Sequence, residues 1–235
     1  MRILVVAATK EEVPGIESQE SRAGIQEVKN QEPRAKSQDE DISGSDRKAF
    51  DYETLITGVG MVATAFALGR HLSDNKYDLV INLGIAGSFD RNISLGDLVE
   101  ITSDTFAELG AEDDNKFLPI AEMGFGEATF EPTTKLSNLY NLFNTFNLRQ
   151  ATAITVNTVH GNEDSIKRVA ERLNPQIESM EGAAFFYACK QFNVPCIQIR
   201  AVSNYVEKRN RDNWNIGLAI KNLNTFAIEF LKLYA

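Results

Sequence analysis

The sequence is poor in the residues that metal centres and disulfide frameworks require. Its 235 residues include only two histidines and two cysteines, which argues against a histidine-rich metal site or a Ser-His-Asp triad. Cys189 and Cys196 have neither CxxC spacing nor neighbouring ligand residues, so we expect both to be reduced core residues. The chemistry of an active site would therefore fall to carboxylates and amides.

The sequence also lacks a surplus of positive charge and long hydrophobic runs. Lysine and arginine number 24 against 33 acidic residues, a formal net charge of -9, so no basic face is expected for nucleic acid or an anionic membrane. Leu79 to Phe89 is too short and too glycine-rich to span a bilayer. Residues 1–9 lead into Lys10 without a signal-peptide cleavage pattern. We expect a cytoplasmic protein with a small-molecule partner.

The glycine motifs lack the features of common nucleotide-binding loops. Gly58-Val-Gly60 has no third glycine of a dinucleotide fingerprint, and no Gly-Lys-Ser/Thr sequence is present for a phosphate loop. These absences argue against NAD and ATP, and we expect no cofactor. Gly84-Ile-Ala-Gly87 either lets a ligand approach the backbone closely or is simply a tight exit from a strand.

Apolar strand-like segments alternate with helical ones along most of the chain. The predicted strands are 2–8, 52–57, 78–83, 98–103, 151–157 and 194–200, and the predicted helices are 61–72, about 133–145, 163–173, 179–192 and 213–233. This alternation predicts an α/β fold, a single domain over 1–235 with a mixed, mostly parallel central sheet flanked by helices. Gly15 to Lys48 has too few apolar residues to pack a core, and we interpret it as a polar insertion or weakly ordered segment.

Ligands of such folds bind at the carboxyl ends of the strands. This rule gathers one crevice from Thr9 to Glu12, Gly58 to Gly60, Gly84 to Gly87 and Ser203-Asn204, with Met180 and Glu181 from the start of a helix. A buried Glu181 would need donors, which a ribose diol supplies. The alternative is that Glu181 is an acid in the first turn of a helix, where the macrodipole favours it.

Five motifs together carry a resemblance to a known family. They are Met1 to Val13, Thr57-Gly-Val-Gly60, Leu83-Gly-Ile-Ala-Gly87, Ser179-Met-Glu-Gly-Ala183 and Arg200-Ala-Val-Ser-Asn204. In this order they resemble the nucleoside phosphorylase and nucleosidase superfamily, over nearly all of the chain except 15–48. Within it the chain is most similar to futalosine hydrolases, through the tail from Ser203 to Ile216, and next to methylthioadenosine/S-adenosylhomocysteine nucleosidases. The resemblance implies a nucleoside phosphorylase-like fold and a homodimer or larger homo-oligomer.

The resemblance also implies roles for individual residues. Glu12 corresponds to the carboxylate that orients and deprotonates the attacking water, although it could instead be a surface acid beside Glu11. Glu181 corresponds to the ligand of the ribose hydroxyls, and Met180 packs on the sugar and base. The remaining residues expected to bind substrate are Ile85, Ala86, Gly87, Val159 and Ser203. His160 falls near the segment that covers the purine, and we do not expect it to be catalytic.

Asn204 stands where adenine-preferring nucleosidases have aspartate. An amide cannot deliver a proton as an acid, but its NH2 group can donate to the N7 and O6 acceptors of a 6-oxopurine. Asn204 therefore favours hypoxanthine as the leaving base, unless its amide flips to bind adenine. The benzoate carboxylate of futalosine would need a cationic partner, for which Arg209 and Arg211 are the candidates; either could instead belong to a solvated loop.

Hydrolysis is favoured over phosphorolysis, because phosphorylases bind phosphate with arginines near the glycine-rich strand ends. Here the residue two before Gly84 is Asn82, and the turns around Gly58 and Gly84 contain no arginine. The implied reaction is hydrolysis of the N-glycosidic bond of a 6-oxopurine nucleoside, converting futalosine to dehypoxanthinyl futalosine and hypoxanthine in menaquinone biosynthesis. Two alternatives stay open: a methylthioadenosine/S-adenosylhomocysteine nucleosidase, and a catalytically silent nucleoside-binding protein.

Overall fold

A computed structural model describes residues 1–16, 51–139 and 148–234. Within them we number ten strands and four α-helices. The strands are β1 (Arg2–Ala7), β2 (Asp51–Ile56), β3 (Leu79–Ser88), β4 (Leu98–Phe106), β5 (Gly110–Asp113), β6 (Lys116–Pro119), β7 (Thr129–Phe130), β8 (Arg149–Thr155), β9 (Ile177–Ser179) and β10 (Cys196–Tyr205). The helices are α1 (Met61–Asp74), α2 (Glu163–Leu173), α3 (Gly182–Phe192) and α4 (Ile216–Lys232).

The central sheet closes on itself through β10. Its order is β2-β1-β3-β9-β8-β4-β10, and β10 also pairs with β3, so five strands form a ring that β1 and β2 extend. The β1–β2, β1–β3, β3–β10, β4–β8 and β8–β9 pairs are parallel. The β4–β10 and β3–β9 pairs are antiparallel. The predicted α/β fold with a mixed, mostly parallel sheet is confirmed.

Helices cover both faces of the sheet. α1 and α3 bury Leu68 and Phe185 in one apolar cluster, and α4 buries Leu223, Phe226 and Phe230 in a second cluster on the other side. These buried positions recur at intervals of three or four residues, which gives α4 one apolar face. Both clusters pack against β1 and β3, which are buried on both faces and carry the near-continuous apolar runs typical of parallel strands.

Two predicted helices differ from the structure. The segment at 133–145 contains only a short 3-10 turn at Leu136–Asn138 before the described residues stop at 139; Thr133 Oγ1 instead accepts a bond from Cys196 N at 2.9 Å, which ties this segment to β10. The helix expected to begin at Ser179 begins at Gly182. Residues 177–179 form β9 because they pair with both β3 and β8.

The polar segment from Gly15 to Lys48 lies almost entirely outside the described residues. Its first two residues are exceptions, because Ile16 is buried in the α4 cluster and Gly15 N donates to Asn224 Oδ1 at 3.1 Å. Cys189 and Cys196 are buried and unpaired, as predicted. In the described part of the chain no helix has the length and apolar character needed to cross a membrane.

Candidate active site

A cavity of about 460 Å³ opens at the carboxyl ends of β1, β3 and β10. It is the crevice expected from the sequence. Ten of the predicted site residues line it: Glu12, Ile85, Ala86, Gly87, Val159, Met180, Glu181, Ser203, Asn204 and Arg209. Arg211 does not line it. The sheet thus brings together side chains that are almost two hundred residues apart in the sequence.

Glu12 is a carboxylate held by backbone amides. It follows β1 in a short 3-10 turn and is only 8% exposed. Its Oε2 accepts from Ala8 N at 3.1 Å and Thr9 N at 3.0 Å, and its Oε1 accepts from Ile85 N at 3.1 Å. Burial raises the pKa of Glu12, against the opposing effects of Arg200 and the backbone donors. A carboxylate with a raised pKa and a fixed position is suited to act as a general base.

Arg200 lies beneath this carboxylate, where the sequence analysis expected no arginine. It pairs in register with Gly84 across β10 and β3 and is 1% exposed. A Cβ atom on Gly84 would stand 1.9 Å from Arg200 Nη1 and 3.1 Å from Glu12 Oε1, so the glycine makes room for the guanidinium. Its Nε and Nη2 atoms have no hydrogen-bond partner in the described part of the protein.

Glu181 is the second buried carboxylate of the cavity. It is the N-cap residue of α3, but its side chain does not cap the helix. Instead, Oε1 accepts from Gly60 N at 3.0 Å, and Oε2 lies 3.9 Å from Arg200 Nη2. Glu181 therefore joins the turn before α1 to the start of α3. The interpretation of Glu181 as a decorative acid in a helix turn does not fit these contacts.

The side-chain amide of Asn204 has a fixed orientation. Its Nδ2 donates to Tyr205 O at 3.0 Å, and its Oδ1 accepts from Ser203 Oγ at 2.9 Å. A flipped amide would place Oδ1 against the carbonyl of Tyr205, where two acceptors repel. One N–H of Asn204 is used by that carbonyl, and the other is left to donate to a ligand.

Glu178 and His160 form a pair at the edge of the cavity that sequence reasoning missed. Glu178 Oε1 accepts from His160 N at 2.9 Å, and Oε2 bonds to His160 Nδ1. Glu178 is 3% exposed, and burial raises its pKa while the bonds from His160 lower it. Both residues line the cavity. Since a carboxylate only accepts, Nδ1 must carry the proton of this bond when Glu178 is ionised.

Two loops cover one end of the cavity. Arg209 N donates to Gly161 O at 3.2 Å, which joins the loop after β8 to the loop after β10. The guanidinium carbon of Arg209 lies 5.1 Å from the Trp214 ring centre, and that of Arg211 lies 5.6 Å from it. Of the two arginines, Arg209 faces the cavity, together with Trp214.

The cavity wall is acidic. Among the described residues its lining contains five glutamates and one arginine: Glu11, Glu12, Glu178, Glu181, Glu207 and Arg209. Such a lining disfavours a phosphate anion beside the carboxylates. Asn82, considered earlier for phosphate, is buried outside the cavity and donates to Gln198 Oε1 at 3.1 Å. Within the described ranges, no group of three or more His, Cys, Asp or Glu side chains is placed to hold a metal ion.

Comparison with known proteins shows the family of the chain. The model of the phosphorylase superfamily matches residues 2–233. The chain belongs to the phosphorylase superfamily. A futalosine hydrolase of Streptomyces coelicolor is 35% identical over 178 residues, which cover 73% of this chain and 75% of that protein. A futalosine hydrolase of Thermus thermophilus is 28% identical over 75% of this chain and 79% of that protein.

A solved structure confirms the superfamily fold. It is a 5'-methylthioadenosine/S-adenosylhomocysteine nucleosidase of Helicobacter pylori with butyl-thio-DADMe-Immucillin-A. The two chains superpose with a TM-score of 0.75 at 15% identity and cover 99% of this chain and 98% of that one. The nucleoside phosphorylase-like fold that the five motifs implied is therefore present, and the relatives of this superfamily member are N-glycosidases.

Sequence reasoning missed Arg200 and Glu178, and for His160, which it placed near the segment that covers the purine, it missed the bond to Glu178. Arg200 had a signal, since a lone arginine inside a buried strand must have a polar partner. Glu178 carried no such signal, because residues 177–179 become a strand only through pairing with β3 and β8. No pattern in the sequence indicated that His160 pairs with Glu178, because the two residues are 18 positions apart.

Proposed function

We propose that this protein hydrolyses the N-glycosidic bond of a 6-oxopurine nucleoside, with futalosine as substrate and hypoxanthine as the released base. The observation that carries the proposal is the fixed Asn204 amide in the same cavity as Glu12. The amide of Asn204 offers an N–H to the purine, while Glu12 is the general base that takes a proton from water. The names of the relatives that are 28 and 35% identical support the choice of substrate.

The sugar side of the reaction uses carboxylates. Oε1 of Glu12 accepts one backbone bond, from Ile85 N, and so keeps a lone pair that can take a proton from a water aimed at C1'. Arg200 lies beside Glu12 with donors to orient that water, and Glu181 accepts from the ribose hydroxyls. The water oxygen bonds to C1', and its proton passes to Glu12, which later releases it to solvent. The C1'–N9 bond breaks, its electron pair leaves with the base, and the base takes up one proton from solvent. The carboxylates stabilise the cationic sugar that forms between these events.

The base and the distal acid of the substrate lie at opposite ends of the cavity in this proposal. The free N–H of Asn204 donates to N7 or O6 of the leaving base, where negative charge develops. Arg209 binds the aromatic carboxylate, supported by its place on the lining beside Trp214. Arg211, which does not reach the lining, is not assigned this role.

In this proposal the protein is a homodimer, and the second copy of the chain closes the cavity of the first. α1 exposes Val62 by 77% and Phe66 by 70%, and Val59 before α1 is exposed and also lines the cavity. Continuity between this apolar face and the cavity supports a homodimer whose partner closes the site. Phe66→Asp should give a monomer in light scattering, while Leu233→Asp, at an exposed apolar position elsewhere, should leave the dimer intact. Dimers with both variants would contradict the assignment of this face.

We further place residues 1–235 in one domain that includes the polar segment, and the protein in the cytoplasm. The family match over 2–233 supports the single domain. The two unpaired cysteines support a reducing compartment.

Base release measured by chromatography tests the proposed reaction. Futalosine, inosine, methylthioadenosine and S-adenosylhomocysteine are each incubated with the protein, with and without phosphate. We expect hypoxanthine from futalosine without phosphate, and a loss of roughly 10²- to 10⁴-fold in kcat for Glu12→Gln. Release of adenine alone would assign the protein to the other nucleosidases. A phosphate requirement would make it a phosphorylase, and binding without turnover would leave a nucleoside-binding protein.

A further inference from the structure

The Glu178–His160 pair faces Asn204 across a single glycine. Gly87 pairs in register with Asn204 on one side and with Glu178 on the other. Neighbouring strands are about 4.8 Å apart, so the two backbones stand roughly 10 Å from one another. Residues directly opposite in a sheet project to the same face. A Cβ atom on Gly87 would lie 3.0 Å from Val206 Cγ2 and 3.2 Å from Asn204 Nδ2, so a side chain there would crowd the amide. Gly87, Asn204 and Glu178 all line the cavity.

The edge of a 6-oxopurine has more than the N7 and O6 acceptors, to one of which the free N–H of Asn204 can donate. Beside O6 it carries the N1–H donor, whereas a 6-aminopurine has an acceptor at N1 and a donor at N6. A site that binds the 6-oxo edge fully therefore needs a donor for N7 or O6 and an acceptor for N1–H. An acceptor in that position also excludes the 6-amino base, because its own lone pairs would face N1.

We propose that Glu178 is the acceptor for N1–H and that, with Asn204, it makes the site selective for 6-oxopurines. This inference rests on the proposed function and names the residue that sets its base specificity. His160 is a positioning residue, because its backbone N–H and ring nitrogen hold the two oxygens of Glu178.

The hydrogen bonds of the pair leave Glu178 able to accept from a ligand. A carboxylate has about four lone-pair directions, and His160 uses one at each oxygen. Burial raises the pKa of Glu178, but the donors from His160 oppose this effect and favour the ionised form, which is the acceptor form. Both residues line the cavity, so N1–H need not displace His160 to reach the carboxylate.

A binding experiment tests the inference without requiring turnover. Trp214 is the one tryptophan of the sequence and lines the cavity, so its fluorescence reports ligand binding. We expect hypoxanthine to bind more tightly than adenine or 1-methylhypoxanthine, which lacks N1–H. In Glu178→Gln the Kd of hypoxanthine should rise roughly 10- to 100-fold, and adenine should bind as well as before or better. His160→Ala should change the ratio of the Kd values of hypoxanthine and adenine in the same direction.

The matched control is Glu100→Gln. Glu100 is also a buried glutamate, with Oε1 accepting from Leu136 N at 2.7 Å, but it lies outside the cavity. Glu100→Gln should leave the ratio of the Kd values of hypoxanthine and adenine unchanged. Equal weakening of both bases by Glu178→Gln would show a purely structural role and overturn the inference, as would wild-type protein that binds 1-methylhypoxanthine and hypoxanthine equally. If the bases bind as expected but no nucleoside is cleaved, the proposed function fails and the inference stands.

Discussion

Replacing Gly84 with alanine tests the buried charges beneath the cavity. The added Cβ atom would stand 1.9 Å from Arg200 Nη1, whereas ordinary contacts begin at 3.4 Å. The guanidinium must therefore move, although it is 1% exposed and surrounded by packed strands. Overpacking of this kind costs about 1 to 3 kcal/mol of the free energy of unfolding. We expect the upper end, because the displaced group is a buried charge that stands between two carboxylates.

The same substitution should reduce activity more than stability alone explains. Moving Arg200 takes positive charge away from Glu12 and changes the position of groups that orient water. A misplacement of about 1 Å in a catalytic site can cost on the order of 10²-fold in rate. We expect kcat/KM for the cleaved nucleoside to fall by this factor in protein that is still folded at the assay temperature.

Urea unfolding and initial rates measure both effects, and Gly217→Ala is the control. Gly217 is an exposed residue of α4 with open space around its Cβ position, so alanine there should stabilise the protein by about 0.5 to 1 kcal/mol and leave the rate unchanged. A Gly84→Ala protein with wild-type stability and rate would refute the assigned position of Arg200.

Three further predictions concern charge. Burial raises the pKa of Asp104 to about 6, so at pH values between the ordinary Asp pKa and 6 the folded protein holds a proton that the unfolded chain has lost. The free energy of unfolding should therefore fall by up to about 3 kcal/mol as pH rises from 4 to 6. Urea unfolding of Asp104→Asn should lack that decrease, and an identical pH profile would contradict it. Burial also raises the pKa of Glu12, and Arg200 lowers it, so Arg200→Met should move the acidic limb of kcat/KM to higher pH; a limb moving to lower pH would oppose the proposed base. Finally, Arg209→Met should raise KM for futalosine roughly 10-fold without affecting inosine, whereas Arg211→Met should alter neither; equal effects would remove Arg209 from the carboxylate site.

The sequence allowed most of the fold to be predicted, because its strands carry strong local patterns. β1 and β3 are apolar runs, and α2 was predicted at its observed bounds. β9 could not be predicted, because three residues become a strand only through pairing with β3 and β8. The β5–β6 hairpin was also missed, since each of its strands is only four residues long and neither contains a buried residue.

The site was predictable where one motif carries one cavity residue, as at Glu12, Glu181 and Asn204, whose roles stay predictions. It was not predictable where a role depends on two distant residues. Arg200 acts through its register with Gly84, and Glu178 through a loop histidine. The orientation of the Asn204 amide likewise depends on the carbonyl of Tyr205 and the hydroxyl of Ser203. Contacts of this kind depend on the assembled sheet rather than on a sequence pattern.

The double pairing of β10 has a consequence for how the cavity can vary. Arg200, Ser203 and Asn204 all lie on this strand, which has β3 on one side and β4 on the other. A strand without a free edge should show slow amide exchange, so the part of the cavity floor that lies on β10 stays fixed. The loops at 159–161 and 206–214 belong to no such ladder. Insertions and substitutions there can suit the cavity to a new 5' substituent, while the chemistry beneath remains the same.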